Sequence, residues 1–340
     1  MKINKLIFSI PFFVIIPFAL AQSPPKASKP GPNPTPKPAG STWKVPRTPD
    51  GKPDLQGVWS NAIITPLERP PAFANKEFFT EEEAAAFEKQ SFEINNRDRR
   101  DGTPEDDVQR AYNEYWFDRG TKVAATRRTS LVVDPKDGRI PPLTEEARRR
   151  NAARNEYRRL HPADGPEDRP LLERCINVLS AGPPMVPTLY NNNYQIVQTP
   201  DYIVILNEMV HDARIVPLDG RPGLPSQIRQ VLGSSRGHWE GDTLVLETAN
   251  FTDRTNFRGS SENMKLTERF TRTADDILLY QFTVDDPTTF TRPWTVEIPS
   301  RKTAGPIYEY ACHEGNQGLA GILAGARAGE KTVLEGASKK

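Results

Sequence analysis

The second half of the chain is a succession of short segments in which apolar and polar residues alternate, each ended by turn-forming residues. Tyr194 to Gln198 and Tyr202 to Leu206 flank Thr199-Pro200-Asp201, and Asp212 to Leu218 runs up to Asp219-Gly220. Ser235 to Glu240 faces Thr243 to Thr248 across the two-residue turn Gly241-Asp242. Lys265 to Thr273, Ile277 to Val284, Phe290 to Ile298 and Ile307 to Cys312 continue the series. Alternation with a period of two puts successive side chains on opposite faces, so each segment offers one apolar face for burial. The rhythm predicts a mainly β domain, an antiparallel meander, and closure into a barrel is the arrangement that leaves no exposed edge. Leu131 to Asp134 and Arg139 to Pro141, around Lys136-Asp137-Gly138, predict one further hairpin.

Two or three peripheral helices accompany the sheet. Thr80 and Glu83 form a capping box ahead of Ala84 to Phe92, and Thr144 caps a helix running to about Leu160. A last helix spans about Asn316 to Arg327, where Gly318, Gly321 and Gly325 predict close packing against the sheet.

Near the start of this domain, Gly57-Val58-Trp59 is a G-x-W sequence. It resembles the first strand of lipocalin-like barrels, where the tryptophan plugs one end, so the expected architecture is a lipocalin-like barrel. Three other stretches, Tyr190 to Tyr202, Arg236 to Phe251 and Tyr308 to Asn316 with Ala324 to Arg327, together resemble a family of exported bacterial proteins. That resemblance implies that the three stretches belong to one domain, and it implies no activity.

The N-terminus fits the same compartment. Lys2 and Lys5 precede an apolar run from Leu6 to Leu20, and Ala19-Leu20-Ala21 ends it, which is the pattern of a signal peptide over residues 1–21. The run is short of the ~20 apolar residues of a spanning helix and is interrupted by Pro11 and Pro17, so no transmembrane segment is expected after cleavage. Residues 22–47, mostly Pro, Lys, Ser, Gly and Ala, predict a disordered tether. A single domain over 48–330 follows, with a helical insertion at about 80–160 and a flexible tail at 331–340.

The chain carries 45 Lys and Arg against 44 Asp and Glu, a net charge of +1, which argues against a nucleic-acid partner. Arg148 to Arg150 with Arg154, Arg158 and Arg159 form a basic stretch, expected to be a solvated helix face. Cys175 and Cys312 are the two cysteines; in an oxidising compartment they are expected to form a disulfide, the alternative being two free thiols.

Chemistry-bearing residues concentrate around histidines. Glu208, His211 and Arg214 lie at the break between two predicted strands, and His313 with Glu314 follows the last one. In an enzymatic reading, a hydrolase or lyase, Glu208 or His211 is the base, His313 with Glu314 the acid or a metal-ligand pair, and Arg214 the anion stabiliser. Glu208, His211, His313 and Glu314 are also the candidate metal ligands, although no usual local ligand spacing is present. The structural alternative is a buried ion network of Glu208, Asp212 and Arg214. No cofactor is required by the sequence. The primary expectation is a periplasmic or secreted protein that binds a small organic or carbohydrate-like ligand in a polar barrel pocket, with Tyr190, Asn193, Tyr194, Trp239 and Asn316 as candidate ligand-binding residues.

Overall fold

A computed structural model describes residues 43–110, 113–255 and 257–337. The expected signal peptide at 1–21, and the expected tether up to residue 42, lie outside the described residues. One antiparallel sheet contains β1 Gly57–Ser60, β2 Val132–Asp134, β3 Asn193–Gln198, β4 Tyr202–Asn207, β5 Ala213–Pro217, β6 Ser234–Glu240, β7 Thr243–Ala249, β8 Lys265–Arg272, β9 Ile277–Asp285 and β10 Trp294–Thr303. Among the described residues four α-helices flank it: α1 Glu81–Asn95, α2 Pro104–Gln109, α3 Glu145–Leu160 and α4 Gln317–Ala337.

The strands run in the order β5-β4-β3-β1-β10-β9-β8-β7-β6, with β2 on β10. Two meanders are thus joined by β1, whose Val58 lies between Gln195 of β3 and Thr303 of β10. The inward face of the long strands is mostly apolar, with Glu268 and Arg272 of β8 and Ser300 of β10 as buried polar exceptions. Trp59, Ile196, Ile205, Leu246, Phe270 and Phe282 belong to one buried cluster. Trp59 sits among them with its indole N–H donating to Leu55 O at 2.9 Å and the Arg272 guanidinium 5.7 Å from its ring centroid.

Pro299 stands inside β10, a position that a central strand ordinarily forbids. The amide of Glu297 donates to Leu131 O, away from β9, so alternation turns the nitrogen of Pro299 to the same side. On that side β2 pairs as far as Val296 and β1 begins at Arg301, so the missing donor falls in the gap between them.

The sheet is rolled but not closed into a barrel, which corrects the lipocalin-like expectation. Its edge strands approach each other: a Cβ on Gly237 of β6 would stand 2.7 Å from Leu218 Cδ2 and 3.3 Å from Val216 Cγ1. No ladder joins β5 to β6. Leu218 donates its amide to Asp201 O on the β4 side, so the nitrogen of Pro217 points outward and offers nothing to β6.

Three local expectations also change. Arg139 to Pro141 forms no strand, because β2 pairs with β10 and the Ile140 amide donates to Glu68 Oε1 at 3.0 Å. Ile307 to Cys312 is irregular: Tyr308 is 69 % exposed, and its amide donates to the Glu208 carboxylate instead of a ladder. A side chain at Gly318, Gly321 or Gly325 of α4 would meet nothing within 4 Å, so these glycines form no packing seam. Both predicted caps are present, with Thr80 and Glu83 closing a capping box on α1 and Thr144 accepting from the Ala147 amide on α3. Cys175 and Cys312 form a disulfide, with Cα atoms 5.7 Å apart. No helix among the described residues is long and apolar enough to cross a membrane.

Candidate functional site

Two networks of hydrogen-bonded polar residues lie inside the rolled sheet. Arg214 of β5 reaches across to Glu268 of β8, its Nη2 donating to Oε1 at 3.0 Å, and Tyr280 donates its hydroxyl to the same oxygen at 2.7 Å. Tyr280 in turn accepts the Met185 amide at 3.1 Å. Burial alone would lower the Arg214 guanidinium, but the adjacent Glu268 charge overrides it and holds the group above its ordinary value. Burial first, and then the same charge, push the Tyr280 hydroxyl well above its usual range. A second chain runs from Tyr194, which donates to Ser300 Oγ at 2.9 Å, to Asn61 Oδ1, which accepts from Ser300. Arg214 is therefore part of a buried ion network, as in the structural alternative above, but its partner is Glu268 and not Glu208. It is taken up before any substrate anion arrives.

The Glu208 region is a clamped corner. Val210 (φ 67°) and His211 (φ 62°) are successive left-handed residues between β4 and β5, a conformation costing about 1–2 kcal/mol for each side chain with a Cβ. Around them Asn207 donates its amide to Asp212 O, Glu208 donates its amide to Asn193 O, and the buried Glu208 carboxylate accepts Asn193 Nδ2 at 2.8 Å and the Tyr308 amide at 3.3 Å. The structure thus brings Asn193 and Glu208 together, while the His211 and His313 side chains are exposed. Among the described residues no group of three or more His, Cys, Asp or Glu side chains is placed to hold a metal ion, so Glu208, His211, His313 and Glu314 do not assemble as ligands. Asn316 caps α4 through the Leu319 amide and donates to Glu173 O at 2.8 Å. Trp239 packs on the core, Tyr194 is buried in it, and the Tyr190 ring contacts Phe117.

Two cavities lie outside the sheet and meet. One, of about 610 Å³, has mainly apolar walls, including Ile64 and Leu67 of the loop after β1, Phe87 and Phe92 of α1, and Leu179 and Leu189. The other, of about 950 Å³, is edged by Arg154 and Arg158 of α3, by Arg174, and by Arg254 and Arg258. Leu179, Thr188 and Arg258 line both, so the two cavities adjoin, and together they make up the outer groove. Volumes of this size suit small-molecule ligands. None of the candidate residues named from the sequence lines either cavity.

The groove is built from well-anchored parts. Phe257 is buried, with its ring 6.0 Å from Trp294 and 6.1 Å from Phe282. Beside it Arg258 projects from a left-handed backbone (φ 53°), and Gly259 presses so closely on α3 that a Cβ would stand 2.7 Å from Asn151 Nδ2. Arg150 donates to Gly259 O and Thr289 Oγ1, and Arg154 donates to Asp253 O at 2.9 Å. The basic stretch of α3 is thus not only a solvated face; part of it docks on the 253–259 loop and edges the groove.

What the sequence held was the spacing. Arg150, Arg154 and Arg158 recur every four residues, and neither Arg154 nor Arg158 has an acidic residue three or four positions away. Such stacked like charges destabilise a helix slightly, which is a signal that something other than the helix uses them.

Fold and groove together define the class: a disulfide-linked protein built on one rolled antiparallel sheet, with an arginine-edged cleft on its outside. Compared with family models, with curated proteins and with solved structures, the chain shows no match.

Proposed function

We propose that this is an exported protein, periplasmic or secreted, that binds a small organic ligand in the outer groove. The observation that carries the reading is the confluence of the two cavities at Leu179, Thr188 and Arg258, outside a sheet interior that is filled by its own side chains. Leu179 and Leu189 are 41 % and 48 % exposed at the apolar cavity, large side chains left in water at a concave wall. Export is supported by the N-terminal signal pattern and by the Cys175–Cys312 disulfide, a bond that persists in oxidising compartments.

Thermal denaturation against a library of small organic compounds tests the binding. Ligands that raise the melting temperature of the wild type should lose that effect in Leu179→Trp, which fills the junction of the two cavities without touching the sheet core. If stabilising ligands act equally on the variant, the groove is not their site.

A further inference from the structure

Arg154, Arg158, Arg254 and Arg258 differ from the other arginines in and around the groove in what they lack. Arg169 is paired with Glu173 at 2.7 Å, and Arg150 has Glu146 at 3.5 Å. Among the described residues, no carboxylate stands within ion-pair distance of Arg154, Arg158, Arg254 or Arg258. Arg154 Nη1 is buried with no hydrogen-bond partner. A buried guanidinium N–H without an acceptor costs about 1–3 kcal/mol, and the exposed Arg158, Arg254 and Arg258 line the same cavity as Arg154, with Arg158 adding like charge to it. Of the carboxylates lining the same cavity, Asp168 is engaged by Tyr157 and the Gly165 amide, and Glu167 lies 3.7 Å from Arg174. Asp253 is the one whose charge favours Arg154; desolvation, Arg150 and Arg158 outweigh it and hold that guanidinium below its ordinary value.

The opposite end of the groove has the reverse character, with Ile64, Leu67, Phe87 and Phe92 on its walls. We propose that the ligand is a monomeric amphipathic organic anion, its carboxylate or phosphate head set on Arg154, Arg158, Arg254 and Arg258 and its apolar body lying past Leu179 in the cavity beside α1. The inference rests on the groove being the ligand site, and it adds the chemical class. Guanidinium groups suit such a head because their planar N–H pairs match the two oxygens of a carboxylate or phosphate. No covalent step is involved.

Titration calorimetry on the disulfide-bonded chain with decanoate, decyl phosphate, decan-1-ol and inorganic phosphate tests it. Decanoate and decyl phosphate should bind, with decan-1-ol and inorganic phosphate each roughly tenfold or more weaker, because each lacks one half of the recognition. Arg254→Ala and Arg158→Ala should each weaken decanoate roughly tenfold and leave decan-1-ol unchanged, with Arg254→Lys intermediate. Melting temperatures equal to the wild type show that the variants are folded.

Equal binding of decanoate and decan-1-ol, with both variants indifferent, overturns the anion while leaving the groove as a ligand site. Inorganic phosphate binding as tightly as decyl phosphate overturns the apolar half. Association with anionic phospholipid vesicles in the absence of any decanoate binding overturns the monomeric ligand in favour of a membrane surface. If neither decanoate nor decan-1-ol binds, and Leu179→Trp alters no ligand from the wider library, the groove reading itself falls.

Discussion

The interior of the rolled sheet and the groove outside it both carry arginines, and the two places treat them oppositely. Inside, Arg214 has Glu268 as its counter-charge, and Tyr280 completes the carboxylate. Outside, Arg154, Arg158, Arg254 and Arg258 stand together with backbone oxygens, water-facing surface and one opposing Asp253. A charge that the protein neutralises itself serves the fold. A cluster that it leaves unneutralised is available to something else. The contrast separates stability from binding residue by residue, and substitutions on each side test whether the separation holds.

The largest effect belongs to Glu268→Ala, which strands Arg214 in the interior and should lower unfolding free energy by about 3–5 kcal/mol in urea titration. Replacing both partners by leucine should cost less than Glu268→Ala alone, since no unpaired charge remains. A result in which the double substitution is the worse one would place the importance of the pair in its shape and not in its charge.

Next comes the disulfide. Cys175→Ser with Cys312→Ser opens a link spanning 137 residues and should cost about 2–4 kcal/mol, read from the denaturant midpoint. Because Arg174 lines the groove next to Cys175, decanoate affinity should fall in the same variant. Unchanged affinity would show that the groove is held without the link.

Asp286 gives a smaller and pH-dependent effect. Burial raises its carboxyl, but hydrogen bonds from the Ser261 amide, Thr289, Thr288 and the Ser261 hydroxyl outweigh burial and hold it below its ordinary value. A carboxyl that is depressed on folding adds stability above its unfolded value of about 4, and that stability is lost as pH falls through the lower folded value. Asp286→Asn should therefore cost about 2 kcal/mol at neutral pH and flatten the loss of stability below about pH 4. The smallest effect is that of Arg158→Ala, expected within about 0.5 kcal/mol of the wild type in stability while binding drops, the reverse of Glu268→Ala.

Most of the sheet could be read from alternation and turn residues, because each of β3 to β9 buries one face and shows the other to solvent or a covering loop. The segments that misled are those where alternation was present without a face to bury. Tyr308 and Tyr310 alternate as a strand would, but β10 ends at Thr303 and the amide of Tyr308 is claimed by a carboxylate. Closure was overestimated for a related reason: Pro217 withholds an outward donor, a backbone effect that side-chain patterning does not register.

The groove was harder. Its arginines sit on α3 and in the 253–259 loop, about a hundred residues apart in sequence, and the docking of that loop on α3, with Gly259 against Asn151 and Asp253 O on Arg154, makes them neighbours. The interior network is half visible in the sequence: Arg214 stands out beside His211, but its counter-charge lies 54 residues further on, at Glu268, which alternation places on the same face of β8 as Leu266 and Phe270.

The seating of β1 between the two meanders bears on how such a chain reaches its final form. The strand at residues 57–60 emerges early from synthesis, but one of its flanks waits for residues 301–303, almost the whole length of the chain later. Pairings of that sequence separation form slowly, since loop entropy is spent before the contact returns any energy. Until the last strand arrives β1 can pair only with β3, and the two meanders lack the strand that joins them, so the sheet is completed only when residues 301–303 are in place.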